Sequence, residues 1–232
     1  MGVKGGESIV ISGVDGSGKS TMAHLLVKNV ARNNAETTKT RVIWFRWRAF
    51  TLYALYLYSR LRRLYVRVYV PWLKRWIGIH VFNVDAVARR LYPYLLFIDL
   101  TIFYILHRLL WWVKGVRTVI FDRFYLDALI DAIYTCRFVD RLLLSLYIAM
   151  QRRAPGAVVL DVDVDTAVAR KRDIVSRREI EFKRRLYSIM ARDLNIPVVD
   201  ARQELPQVLS NVCRALSLSC YRYPGVSVSK TT

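Results

Sequence analysis

Gly13-Val14-Asp15-Gly16-Ser17-Gly18-Lys19-Ser20-Thr21 fulfils the spacing G-x-x-x-x-G-K-[ST] in full, the pattern of a loop that holds a polyphosphate. Its glycines let consecutive backbone N–H groups converge on an anion, and the start of the next helix adds its partial positive charge. Lys19 is expected to reach the β and γ phosphates of a nucleoside triphosphate, and Ser20 to hold a magnesium ion. The context matches the motif. Ser8-Ile9-Val10-Ile11-Ser12 reads as a short buried strand, and from Ser20 to Ala31 the apolar residues Met22, Leu25, Leu26 and Val30 recur at helical spacing.

Outward from the loop, 232 residues with 54% hydrophobic content suffice for one core, and no Pro/Gly/Ser-rich linker divides them. One domain over 1–232 is expected, with loose tails at Met1 to Glu7 and Tyr221 to Thr232. The N-terminus lacks the basic start, apolar run and small-residue cleavage site of a secretory signal, so a cytoplasmic protein is expected. Cys136, Cys213 and Cys220 have no metal-ligand spacing and are read as buried thiols, with a Cys213–Cys220 bridge as the alternative. A net charge of +19 implies an anionic partner: phosphorylated substrates, nucleic acid or an anionic membrane surface.

Along the chain, Arg41 to Phe45 reads as a second strand ending on Arg46-Trp47-Arg48. Thr51 to Tyr69 reads as an amphipathic helix stopped by Pro71. A long, buried helix is expected over Val84 to Val113, bent at Pro93, with Gly115 ending it before the strand Arg117 to Phe121. Helices over Tyr125 to Tyr134 and Val139 to Arg152, a strand over Ala157 to Asp161, and helices over Thr166 to Arg172 and Glu179 to Asp193 follow. A short strand, Ile196 to Val199, and a helix over Leu205 to Leu216 close the pattern. Five strands separated by helices predict an α/β fold: a parallel sheet covered on both faces.

The second chemical landmark is Asp122, a carboxylate beside the apolar strand Val119-Ile120-Phe121 and placed to organise magnesium and its waters. Arg123 next to it can pair bidentately with a phosphate.

These stretches resemble the thymidylate kinase family of nucleoside monophosphate kinases. The loop matches that family's Gly-x-Asp-Gly-x-Gly-Lys-Ser-Thr. Leu95-Leu96-Phe97-Ile98-Asp99 resembles its Leu-Leu-Phe-x-x-Asp helix, Asp122-Arg123-Phe124 its Asp-Arg-aromatic motif, and Leu160-Asp161-Val162-Asp163 its Leu-Asp-Val-Asp strand end. Arg170 and Glu179 to Tyr187 are similar to its lid and following helix, and Val198-Val199-Asp200-Ala201 to its adenine-side strand and loop. The resemblance implies a three-layer P-loop kinase fold around a five-stranded parallel sheet. It implies transfer of the ATP γ-phosphoryl group, with Mg2+, to a nucleoside monophosphate, dTMP foremost.

On that resemblance Gly13, Asp15, Gly16, Ser17, Gly18, Lys19, Ser20 and Thr21 bind ATP. Lys19, Asp122, Arg123, Arg170, Arg172 and Arg177 form the catalytic set, and Ser20 and Asp122 hold the metal. Asp15, Arg46, Arg48, Asp99 and Arg123 face the acceptor. Members with glycine at the position of Gly16 carry their catalytic basic residues in the lid, here 170–178. The chain departs from the family after its second strand, where Thr-Arg-Glu-Pro-Gly-Gly is replaced by Phe45-Arg46-Trp47-Arg48-Ala49-Phe50, and again where Leu100 stands in place of an arginine.

The region 46–116 is read as helical and acceptor-facing. Between Arg41 and Arg117 lie twelve arginines and two lysines against Asp85 and Asp99 alone. A homodimer interface, a nucleic-acid surface and an anionic membrane contact all suit it. Two further functions stay open: a P-loop kinase for another phosphorylated or hydroxylated small molecule, and an ATPase that uses the basic aromatic region to bind nucleic acid or membrane.

Overall fold

The computed structural model describes residues 7–33, 40–46, 50–171 and 176–218. The main sheet is built from β1 (Glu7–Gly13), β2 (Thr40–Trp44), β5 (Thr118–Asp122), β6 (Gly156–Asp161) and β7 (Val198–Asp200), in the parallel order β2-β5-β1-β6-β7. The α/β class and five parallel strands expected above are what the structure has. Glu7, expected in the N-terminal tail, instead begins β1 and pairs with Thr118. The other tail residues and the Cys213–Cys220 pairing fall outside the described residues; Cys136 is a buried free thiol.

The central strands are apolar on both faces because both are covered. Ile9, Ile11, Ile120, Val158 and Leu160 pack under α1 (Lys19–Asn33) and α8 (Leu205–Ala215). Their neighbours Val10, Val119 and Phe121 point the other way, into a core formed with α2 (Leu52–Leu61), α3 (Ala86–Lys114), α4 (Tyr125–Cys136) and α5 (Arg141–Gln151). Phe45, Phe121, Phe124 and Tyr125 interlock there, with ring centroids 4.7–5.6 Å apart, the separation at which offset and edge-on rings attract. Helices α6 (Val164–Arg170) and α7 (Arg177–Asp193) pack beside α4 on that same face, around Leu126, Ile130, Val159, Ile180 and Tyr187.

Two expectations fail between residues 51 and 114. The single helix over Thr51 to Tyr69 ends instead at Leu61, where Arg63 turns left-handed at φ 57°. An antiparallel hairpin follows, β3 (Tyr65–Val70) paired with β4 (Arg75–His80). Tyr65-Val66-Arg67-Val68-Tyr69-Val70 is rich in β-branched and aromatic residues with a period of two, and that preference overrides the helical spacing of Arg60, Arg63 and Arg67. Pro71 stops no helix; it opens the short turn Pro71–Leu73 between the strands.

The second failure concerns the burial of α3, a helix that contains Pro93 and is only partly buried. It is the one helix among the described residues long and apolar enough to cross a membrane. One face, including Leu96, Leu100 and Phe103, is in the core, while Ile98, Ile102, Ile105, Leu109 and Trp112 are exposed.

Candidate active site

The phosphate loop leaves β1 at the carboxyl edge of the sheet, beside the end of β5, where ligands of open α/β sheets bind. Two of its glycines are required by geometry. Gly18 has φ +90°, and Gly16 has φ +85° with a notional Cβ only 2.4 Å from the Ala167 carbonyl of α6. The loop and α6 thus touch backbone to backbone, which no side chain at position 16 permits.

Asp15, Gly16, Gly18, Lys19, Ser20 and Thr21 line one wall of a cavity of about 500 Å3. Trp44, Arg46, Arg123, Arg170 and Lys171 line the rest. Lys19 is buried, and its Nζ donates to the Val14 carbonyl at 2.6 Å. Burial first, and Arg123 second, lower its pKa to about 8, since a desolvated ammonium beside another cation sheds its proton more easily.

Arg123 sits in a left-handed conformation, φ 73°, uncommon for a residue with a side chain. Its amide donates to Ile11 at 3.0 Å and its guanidinium pairs with Asp15. Lys171 is 3.4 Å from the same carboxylate. Burial alone would raise the Asp15 pKa, but Arg123, Lys19 and Lys171 outweigh it and hold the carboxyl well below the usual range.

Ser20 Oγ donates to Asp122 at 2.5 Å. The other Asp122 oxygen is buried and has no hydrogen-bond partner among the described residues, and Ser17 Oγ likewise. A buried carboxylate oxygen without a partner is costly, and beside a serine hydroxyl it makes a hard-oxygen pair suited to magnesium. No group of three or more His, Cys, Asp or Glu able to hold a metal occurs among the described residues. A magnesium ion here would need further oxygens, such as those of phosphate and water.

A smaller recess of about 200 Å3 adjoins the first and shares Arg46 and Arg123 with it. Phe45, Tyr92, Leu96 and Leu100 form its apolar side, and Asp131, Glu179 and Lys183 its charged side. Lys183 bridges Asp131 at 2.6 Å and Glu179 at 2.5 Å, joining α4 to α7.

Asp127, on the first turn of α4, also lines the smaller recess. It accepts from Ser12 Oγ at 2.6 Å, the Phe124 amide at 2.9 Å and Tyr187 Oη at 2.7 Å. Strand β1, α4 and α7 are therefore tied through one buried carboxylate. Burial raises its pKa against the pull of Arg123 and Lys19.

The fold thus gathers Asp15, Lys19, Ser20, Asp122, Arg123, Arg46 and Arg170 in one place. Arg170 lines the cavity while donating to the Ala201 carbonyl at 2.8 Å. Arg177 is not among these residues: it pairs with Asp165 in solvent. Asp99 is a correction to the acceptor set. It is wholly buried and accepts from the Phe50, Thr51 and Leu52 amides at 3.0, 2.7 and 3.1 Å, and from Thr51 Oγ1 at 2.7 Å. It caps α2 from the neighbouring helix. Arg48 and Arg172 lie outside the described residues. Asp127, Asp131, Lys171 and Lys183 escaped the sequence reading. The signal available was carboxylates one turn apart on α4 just after Asp122-Arg123, and a matching Glu179/Lys183 pair on α7.

This arrangement is an α/β fold of the P-loop kinase type with a phosphate loop at its switch point. Among solved structures the chain is similar to thymidylate kinase from Ehrlichia chaffeensis: TM-score 0.55, 16% identity, covering 93% of this chain and 100% of that one. Deoxyadenosine kinase from M. mycoides with bound dATP aligns at TM-score 0.47 and 16% identity, over 90% and 99% of the two chains. No family model and no curated protein matches the sequence.

Proposed function

We propose that this chain transfers the γ-phosphoryl group of ATP to a nucleoside monophosphate, with dTMP the first acceptor to test. The observation that carries the reading is that Arg46 and Arg123 line both recesses, so two cations stand where two anionic substrates would meet. Phosphoryl transfer asks mainly for positioning and for charge opposite the migrating oxygens.

In this reading the loop amides and Lys19 take the donor phosphates. Ser20, with Asp122 behind it, holds magnesium, which when bound offsets phosphate charge and orients the oxygens. Arg123 receives the acceptor phosphate with Arg46 beside it, and Asp15, kept ionised by Arg123, accepts from the acceptor sugar. Phe45, Tyr92, Leu96 and Leu100 receive the base. Arg170 brings further positive charge from the α6 end. The choice of dTMP rests on the motif resemblance. A homodimer through the open face of α3 and a cytoplasmic location belong to the same proposal.

The test is a panel of nucleoside monophosphates with MgATP and purified protein, following ADP release. The expected result is ADP that appears only with an acceptor, fastest with dTMP. ADP release that ignores every acceptor would make the chain an ATPase and end the proposal; a different preferred nucleotide would end only the dTMP assignment.

A further inference from the structure

The β3–β4 hairpin presents an apolar surface inside a strongly basic stretch. Its register sets Val66 opposite Ile79 and Val68 opposite Ile77. Residues directly opposite share one face of a ribbon, so that face is aliphatic. The other face carries Tyr69 against Trp76, ring centroids 5.4 Å apart. Trp72 in the turn is 60% exposed and Trp76 65%, and Val66, Val68, Tyr69 and Ile79 are exposed as well. A two-stranded ribbon is marginal in water without something packed on it, and an exposed apolar patch of this kind marks a partner.

The charge selects the partner. Arg60, Arg63, Arg67, Lys74 and Arg75 are exposed on and beside the hairpin, and no acidic residue occurs from Arg41 to Val84. A second copy is disfavoured because hairpin against hairpin would set these cations on one another, in a chain already at +19. Nucleic acid would meet the cations but leave the Val66/Ile79 and Val68/Ile77 pairs without use. An anionic bilayer entered turn-first satisfies both, because it meets the two faces of the ribbon at once. Trp72, Trp76 and Tyr69 favour the headgroup boundary, Val68 and Ile77 on the other face lie against apolar lipid, and the basic side chains reach out to lipid phosphates.

We propose that the β3–β4 hairpin docks this protein on anionic lipid membranes, with Trp72 and Trp76 entering the interface and Arg67, Lys74 and Arg75 on the lipid phosphates. The inference is independent of the phosphotransfer reading, because no residue of either recess takes part.

The test is co-sedimentation of the full chain with phosphatidylcholine vesicles, with or without phosphatidylglycerol, at low and high salt. The protein is expected to sediment with the mixed vesicles at low salt and not with phosphatidylcholine alone. Lys74→Gln with Arg75→Gln should weaken binding by roughly twentyfold or more, about fivefold for each cation removed. Trp72→Ser with Trp76→Ser should abolish it, while circular dichroism shows an unchanged fold. Should the tryptophan variant unfold, the charge variant alone decides. Binding indifferent to phosphatidylglycerol, or equal binding by the charge variant, overturns the proposal. So does a lipid-free dimer, or an RNA complex, that the tryptophan variant dissolves.

Discussion

Lys19 must carry charge in a place that resists charge, and this makes its protonation part of ligand binding. With its pKa lowered to about 8 by burial and by Arg123, a growing fraction is neutral above that pH. A phosphate favours the charged form, so binding must restore the proton. Affinity for MgATP should therefore be flat below pH 8 and fall as pH rises beyond it, with proton uptake measurable by calorimetry in buffers of different ionisation enthalpy. Lys19→Arg should flatten the profile; uptake that persists in that variant points to another group. The Asp15 carboxyl behaves oppositely. Its pKa is depressed, so the stability it contributes is present above the ordinary value of 3.8 and is lost as pH falls further toward the folded value. Arg123→Lys keeps the charge but not the planar fork, and should raise the acceptor KM roughly ten- to a hundredfold with much less effect on that of ATP. Equal changes in both constants would remove its acceptor role. These residues were legible because each lies in a contiguous motif whose chemistry is local. Asp99 was misread for the same reason: a motif gives the identity of a carboxylate but not its direction, and its partners at 50–52 are far away in sequence.

Helix α2 has no side-chain cap of its own, and Asp99 of α3 supplies one across the interface. Removing that carboxylate leaves several amides without an acceptor in a buried setting. Asp99→Ala should lower stability by about 3 kcal/mol, and Asp99→Asn, which keeps one acceptor oxygen, by less. Urea unfolding with an unchanged m-value is the measurement; a loss under 1 kcal/mol for the alanine variant would show that water replaces the cap. The sheet strands and most helices could be read because their apolar spacing is regular and their ends carry glycine, proline or polar breaks. The hairpin could not, because Arg60, Arg63 and Arg67 recur at helical intervals while Tyr65 to Val70 alternate as a strand. Only the left-handed turn at Arg63, absent from any pattern of polarity, separates the two. The charged side of the smaller recess was hidden differently: Asp131 and Lys183 come from α4 and α7, and tertiary packing alone brings them together.

At the scale of the whole molecule, apolar surface and positive charge are distributed unevenly. Ile98, Ile102, Ile105, Leu109 and Trp112 follow one another along α3 in steps of four and three residues, all exposed, the spacing of a helix that packs on a partner. If a second copy covers it, Ile102→Glu with Leu109→Glu should convert dimer to monomer in sedimentation velocity without unfolding the chain; a wild-type monomer at every concentration ends that assignment. The two recesses have a consequence of their own. Because Arg46 and Arg123 belong to both, whichever anion arrives first can spread onto cations meant for the other. Under the proposed transfer, an excess of one reactant then obstructs its companion, and the velocity curve should climb, peak and bend downward because two guanidinium groups are shared.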